Sequence, residues 1–559
     1  MGSPEAEARK RSNAFLNEEK AYRLGFVEAE QSNPKTRLLG ETTVNNTAEG
    51  VKMLLNVDKD LIGLYDQTIR GKDFDAFYRD ALTSLRTGGR IVISGCGSTG
   101  RLAMRVEASW RTAVAALCRQ NRNAAALSEK VLSLMTGGDY AVIRAVESFE
   151  DYIELGEKQT EELHLTEKDI LVGVTATGET TSVLGTARRA LADGAKVWMI
   201  VCSDPEKVAE KLARARDVFH HAHCRTLYIR CGGMAVTGST RMQSSTIEQA
   251  LLCTCLELCL SELFDENKAD QEAKKDALSD GFRDCIHSVC EETTILSIAK
   301  QAETEAALYK NHGLVTYFAD EYLLDALADT TERGPTFCVP PFLPSTAKDG
   351  APSWSFVKNP TLGTAAAWEH CFGRTPRCVT YTANDYRAVG IKEEDVRKIP
   401  KIDAAALYAF KIGSEPDPAR EGENTLATWI GYENDVPRTF FDRAKSFEKH
   451  TVMTLSPGAS FPCETRMHLF EHLAVKIMLN TMSTATMAKA GRIYGNYMVY
   501  MNITNKKLID RATRIIADLC HIDYEKANYE LFLSKAYFES VNDPNGPVVI
   551  ETVNRLRNA

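Results

Sequence analysis

No stretch of this 559-residue chain approaches 18 consecutive apolar residues, which argues against a membrane-spanning helix. The opening, MGSPEAEARKRSNAF, has no apolar signal core, so a cytoplasmic protein is expected, with nuclear residence also compatible. There is no basic excess: 67 Lys and Arg stand against 76 Asp and Glu, for a net charge of −9. That argues against a nucleic-acid binder that relies on a basic surface. Fifteen cysteines occur, an odd count, without one Cys-x-x-Cys pair, so neither a disulfide framework nor a zinc ribbon is suggested. A reducing compartment fits best. The phosphate loop GxxxxGK[ST] is absent, and the nearest approach to GxGxxG has Arg101 where the third glycine belongs. A nucleotide is therefore not favoured, and no cofactor is expected.

What the chain does have is a change of grammar. Residues 1–85 read as mostly helical, interrupted at 32–43. Short β-branched runs then end in small-residue loops and are followed by helices: 90–94 before GCGSTG, 169–174 before TATGETT, 196–202 before SDP, and 227–230 before CGGMAVTGSTR. Such alternation implies a parallel sheet with helices on both faces. Segment 244–310 reads as long helices. A second round of strands is expected at GLVTYFAD (313–320), RCVTYTAND (377–385) and AAALYAFKI (404–412), with 342–362 as a long loop. From about 463 the pattern is helical, broken near Pro544 and Gly546. The expected division is an N-terminal helical region (1–85), two α/β domains (86–285 and 286–460) and a C-terminal helical cap (461–559).

Three Gly/Ser/Thr loops each follow a strand and open a helix: Gly95–Gly100, Thr175–Thr181 and Thr237–Arg241. Glycine allows close backbone approach to a ligand. The first turn of a helix offers unpaired N–H groups and partial positive charge. Together with Ser and Thr hydroxyls, this suits a phosphate. Any one loop could equally be a capped helix start.

The motifs GCGSTGRL (95–102), VESFED (146–151), VGVTATGETT (172–181), AVTGSTRM (235–242) and the run 476–508 resemble the sugar isomerase (SIS) superfamily. Within it, they are most similar to the bacterial N-acetylmuramic acid 6-phosphate etherases and the glucokinase regulatory proteins. The resemblance implies two flavodoxin-like αβα sandwiches with parallel sheets, packed as a pseudo-dimer within one chain. It implies that Gly97, Ser98, Thr99, Thr177, Thr180, Ser239 and Arg241 surround a sugar phosphate, that Lys476 reaches the phosphate from the helical cap, and that Glu150 meets the sugar. Arg241 is equally open to a structural ion pair. The etherases use two glutamates; the second falls on Glu150, the first on Ser109. Glu107 lies about 200° around the helix from that position and reads as a solvated or ion-paired residue. Gln243 and Glu179 stand where the family carries basic residues, which suggests a different ligand set.

In the second half, ADTTERGPTF (328–337) resembles the etherase stretch that bears the first glutamate, here Glu332. The corresponding phosphate loop would be Phe318–Tyr322, where Asp320 and Glu321 would repel a phosphate. The second domain thus reads as structural, unless Glu332 reaches into the first site and restores a carboxylate pair with Glu150. His220, His221, His223 and Cys224 read as a polar edge rather than a metal site, since adjacent histidines on a strand face opposite ways. Cys96 is open to packing or to thiolate stabilisation by the helix start. Lys506 and Lys507 read as ordinary solvated charges. The expected function is a non-catalytic regulator that binds a hexose phosphate, fructose phosphate favoured, and that has a hexokinase or glucokinase as partner. The alternative is an etherase-like lyase that uses Glu150 with Glu332 or Glu107.

Overall fold

A computed structural model of the chain describes residues 4–144, 146–264, 270–432, 436–455, 463–503, 505–541, 543 and 546–558, apart from the side chains of Glu147 and Ser148. Pro544, expected to break the C-terminal helices, lies outside the described residues.

The first α/β unit is built on five parallel strands: β1 (Ile91–Gly95), β2 (Val131–Met135), β3 (Ile170–Val174), β4 (Lys196–Val201) and β5 (Cys224–Tyr228). Their order is β2-β1-β3-β4-β5. Every residue of β1 and β3 is buried, as continuous apolar runs between two helical layers must be. This is the doubly wound flavodoxin order, in which the connections reverse direction at β1 and β3. A crevice opens there, at the carboxyl ends of the strands.

The second unit repeats the plan with four parallel strands: β6 (Leu314–Phe318), β7 (Ser355–Lys358), β8 (Gly422–Ile430) and β9 (Phe447–Met453), in the order β7-β6-β8-β9. Of the three strands expected here, only the first forms. RCVTYTAND instead runs into the helix Ala383–Ala388, where the Thr382 hydroxyl and the Asp385 carboxylate form a reciprocal capping box. AAALYAFKI opens with the helix Ala404–Tyr408, capped by Asp403. These local side-chain hydrogen bonds outweigh β propensity. β7 lies within the stretch read as a loop.

The long helices Gln243–Phe264, Gln271–Val289 and Glu292–Lys310 form as expected, and the boundary placed at 285/286 falls inside the second of them. The helix Leu469–Lys489 is buried almost all round and packs against all three, and against Leu323–Phe337 of the second unit. Buried ion pairs also join the two halves. The Glu107 carboxylate accepts from Arg111 and Arg374, both at 2.9 Å, and from Arg377; Asp139 pairs with Arg374 at 2.5 Å. No helix among the described residues is long and apolar enough to cross a membrane.

Candidate functional site

A cavity of about 160 Å³ sits at the carboxyl ends of β1 and β3. The loop after β1 forms its floor. Gly97 there has φ +55° and ψ −120°, a conformation open to glycine, and it launches the helix Ser98–Cys118. The Thr99 hydroxyl is turned inward: it accepts from the Cys96 N–H and donates to the Cys96 carbonyl, both at 3.0 Å, so it closes the loop. The Ser98 hydroxyl instead faces Thr240 of the third loop at 3.1 Å. Thr175 and Thr180 share a hydrogen bond at 2.8 Å, and the Thr177 hydroxyl donates to Glu179 at 3.3 Å. Cys96, Gly97, Ser98, Thr99, Thr177, Thr180, Ser239 and Arg241 all line the cavity, so the three loops do converge.

Two carboxylates face this space from different parts of the chain. Glu150 ends the short helix Glu147–Glu150 in the crossover from β2 to β3. Glu332 comes from the 323–337 helix of the second unit, together with Pro335 and Thr336, so that unit contributes walls as well as bulk. Burial raises the Glu150 pKa; Lys507 opposes this, while Glu179 and Glu332 add to it. Glu332 is ion-paired with Arg101, whose Nε donates to the Val142 carbonyl at 2.9 Å.

The C-terminal helix Lys506–Cys520 closes the cavity with Lys507 and Arg511, and Asn505 caps its start. Lys507 is no solvated charge. It is largely shielded from solvent, 3.2 Å from Glu179 and 3.8 Å from Glu150. Burial alone would lower its pKa, but the two carboxylates outweigh burial and raise it. The Asn505 amide donates to Glu150 at 3.3 Å. Glu179 is itself held ionised: burial works against its charge, and Lys507 and Arg214 outweigh it. Arg511 is fixed by Glu30, which also pairs with Arg514 at 2.8 Å. Arg101, Arg241, Lys507 and Arg511 line the cavity beside Glu150 and Glu332, and each of the four cations is paired with a carboxylate: Glu332, Asp329, Glu179 and Glu30 respectively.

The expected phosphate lysine, Lys476, is not in this cavity. Its ammonium donates to the Arg241 carbonyl at 3.1 Å and to Thr246 at 2.9 Å, deeper in the fold. The 476–508 run does supply a cation, but its register on the cap helices puts Lys507 there. Arg241 lines the cavity and pairs with Asp329 at 2.7 Å. Gln243 closes the third loop, accepting from the Ala235 N–H and donating to the Gly233 carbonyl. Glu107 is the ion-paired residue expected. His220 pairs with Glu206 at the surface, and Cys224 opens β5.

Residues 76–191 match the family described as the glucokinase regulatory protein N-terminal SIS domain. The chain is 30% identical over 226 residues to the N-acetylmuramic acid 6-phosphate etherase of Lactobacillus johnsonii, covering 40% of this chain and 66% of that one. It is 24% identical over 260 residues to the N-acetylmuramic acid 6-phosphate etherase 1 of Bacillus licheniformis, covering 46% and 77%. The chain belongs to the SIS superfamily. Among solved structures, the C-terminal domain of glucosamine-fructose-6-phosphate aminotransferase from Francisella tularensis superposes with a TM-score of 0.42 at 10% identity, covering 78% of this chain and 95% of that one. In this SIS chain, Ser109 is buried within the 98–118 helix and does not line the cavity, whereas Glu332 does.

Proposed function

We propose that the cavity binds a phosphorylated amino sugar and cleaves an ether from it, a carbon–oxygen lyase reaction of the kind for which the etherase relatives are named. The observation that supports this reading is the presence of Glu150 and Glu332 in one cavity, one from each half of the chain. The helix start at Ser98, the Ser98 hydroxyl, Lys507 and Arg511 offer a seat for the phosphate. In an elimination, one carboxylate accepts a proton from carbon, a carbon–carbon double bond forms, the carbon–oxygen bond breaks, and a carboxylic acid protonates the departing oxygen. Glu150, its pKa raised by burial, suits the proton donor, and Glu332, beside Arg101, suits the base. The test is incubation with N-acetylmuramic acid 6-phosphate and assay of D-lactate. Release is expected, and Glu150→Gln and Glu332→Gln should each abolish it.

A second reading is binding without chemistry, as a hexose-phosphate sensor that regulates a sugar kinase. The match of residues 76–191 to the regulator's domain favours it, as does the Arg101 pair that engages Glu332. Under that reading no lactate appears, fructose 6-phosphate raises the unfolding midpoint, and a glucokinase-type enzyme co-purifies in a sugar-phosphate-dependent way.

A further inference from the structure

Two cysteines stand at the carboxyl ends of β4 and β5, where the loops of the cavity are rooted. Cys202 follows β4, and its N–H donates to the carbonyl of Ala176, in the second loop, at 3.0 Å. Cys231 follows β5 and opens the stretch that leads to the third loop. The two strands are parallel neighbours: Val201 lies opposite Tyr228, and the Ile229 N–H donates to the Val201 carbonyl at 2.8 Å. The Cys231 N–H then donates to the Ile229 carbonyl at 2.9 Å, a three-residue turn. There the two thiols meet in a hydrogen bond.

Both thiols are free; Cys202 is buried and Cys231 half-buried. The Cys202 Sγ also donates to Glu248 at 3.5 Å. Burial above all, then the Cys231 thiol and Glu248, push the Cys202 thiol well above the usual range. Cys202 is therefore a poor first nucleophile, and Cys231 is the member of the pair that solvent reaches. A disulfide needs its Cα atoms within about 7 Å, a span within reach of neighbouring strands about 4.8 Å apart.

We propose that Cys202 and Cys231 form a modification site, a dithiol that hydrogen peroxide oxidises to a disulfide tying the second cavity loop to the third. The Cys231 sulfur attacks one peroxide oxygen. An S–O bond forms, the O–O bond breaks, and the departing hydroxide takes the thiol proton and leaves as water. The Cys202 sulfur then attacks the Cys231 sulfur. An S–S bond forms, the S–O bond breaks, and a second water leaves with the Cys202 proton. Two thiols are oxidised and one peroxide is reduced to two waters. In a reducing compartment the pair rests open and closes under oxidant. The new bond joins the residue held by Ala176 to the start of the stretch that carries Ser239 and Arg241, so the two loops lose their independent motion.

The experiment treats the full chain with hydrogen peroxide, alkylates it and digests it with trypsin without reduction. Cys202 falls in the peptide 197–207 and Cys231 in the peptide 231–241, each with a single cysteine. Mass spectrometry is expected to find these two peptides linked, to lose the linked species on dithiothreitol treatment, and to find none from Cys231→Ser. In Cys202→Ala, Cys231 should accumulate as a sulfenic acid that dimedone captures. Where Cys202→Ala fails to fold, Cys231→Ser, at the half-buried position, still decides. Hydrogen exchange reads the consequence: oxidation should slow the amides of 175–181 and 231–241 about threefold or more, and not in Cys231→Ser. Absence of the linked peptides after peroxide overturns the site. Linked peptides with unchanged exchange overturn the tie between the loops.

Discussion

Lys507 places one ammonium between two carboxylates, 3.2 Å from Glu179 and 3.8 Å from Glu150. Lys507→Met is expected to weaken binding of N-acetylglucosamine 6-phosphate about tenfold or more, read by titration calorimetry. Lys506→Met, which removes a half-exposed lysine paired with Glu19, is expected to leave that affinity unchanged. The contrast between neighbours shows what a sequence can hide. Two adjacent lysines carry one local signal, and only the rotation of the 506–520 helix decides which enters the fold. The same limit applies to Lys476, whose family-like surroundings pointed to the phosphate although the backbone directs it to the Arg241 carbonyl. Glu248 gives a second prediction at this scale. Burial pushes its pKa up to about 8, so the folded chain holds it protonated while the unfolded chain ionises it near 4.5. Its contribution to stability is present below about pH 4.5 and is lost as the pH rises through 8. Denaturation across that range should show Glu248→Gln gaining on the parent chain as the pH rises.

The helices Ile153–Glu161 and Thr181–Ala192 hold the Glu150 turn against the loop after β3, and they cross at glycine. A Cβ on Gly185 would lie 2.1 Å from the Ile153 carbonyl oxygen, and one on Gly156 would lie 2.0 Å from that of Ser182. The obstacle is backbone and cannot swing aside. Gly185→Ala is therefore expected to cost about 1–3 kcal/mol in chemical denaturation, and to weaken ligand binding as well by displacing Thr180. β1 and β3 are readable because each is a buried apolar run that ends in a glycine–hydroxyl loop, whereas β5 is only partly buried and no strand is expected from the sequence at β2. β9 has no such signature: its FEKHTVM is largely exposed, as an outer strand, so its residues alternate poorly. β7 follows a Pro/Gly-rich stretch and is only four residues long, too short for any periodicity to declare itself. Of the carboxylate pair, Glu150 sits in a local motif, whereas Glu332 reaches the cavity through the packing of the second unit on the first.

At the scale of the molecule, the halves are clamped by buried charge. Glu107 is held ionised by Arg374 and Arg377 against the penalty of burial, with its pKa lowered to about 2. Because this value lies below that of the unfolded chain, the stabilisation is present above about pH 4.5 and is lost as the pH falls toward 2. Acid titration followed by tryptophan fluorescence should show unfolding over that interval. Arg374→Met leaves Glu107 and Asp139 short of a partner and is expected to cost about 3–5 kcal/mol. The second unit also repeats the topology around β1 without repeating its loop. After β6 stands Asp320, whose carboxylate accepts from the Asn359 amide at 2.9 Å and lies 3.1 Å from His370. An acid in that place would turn a phosphate away, so under the proposed sugar-phosphate reading one such seat is expected among the described residues. Its saturation curve should be hyperbolic, with one ligand per chain at the endpoint, because the twin that could have made the response sigmoidal carries a charge of the wrong sign.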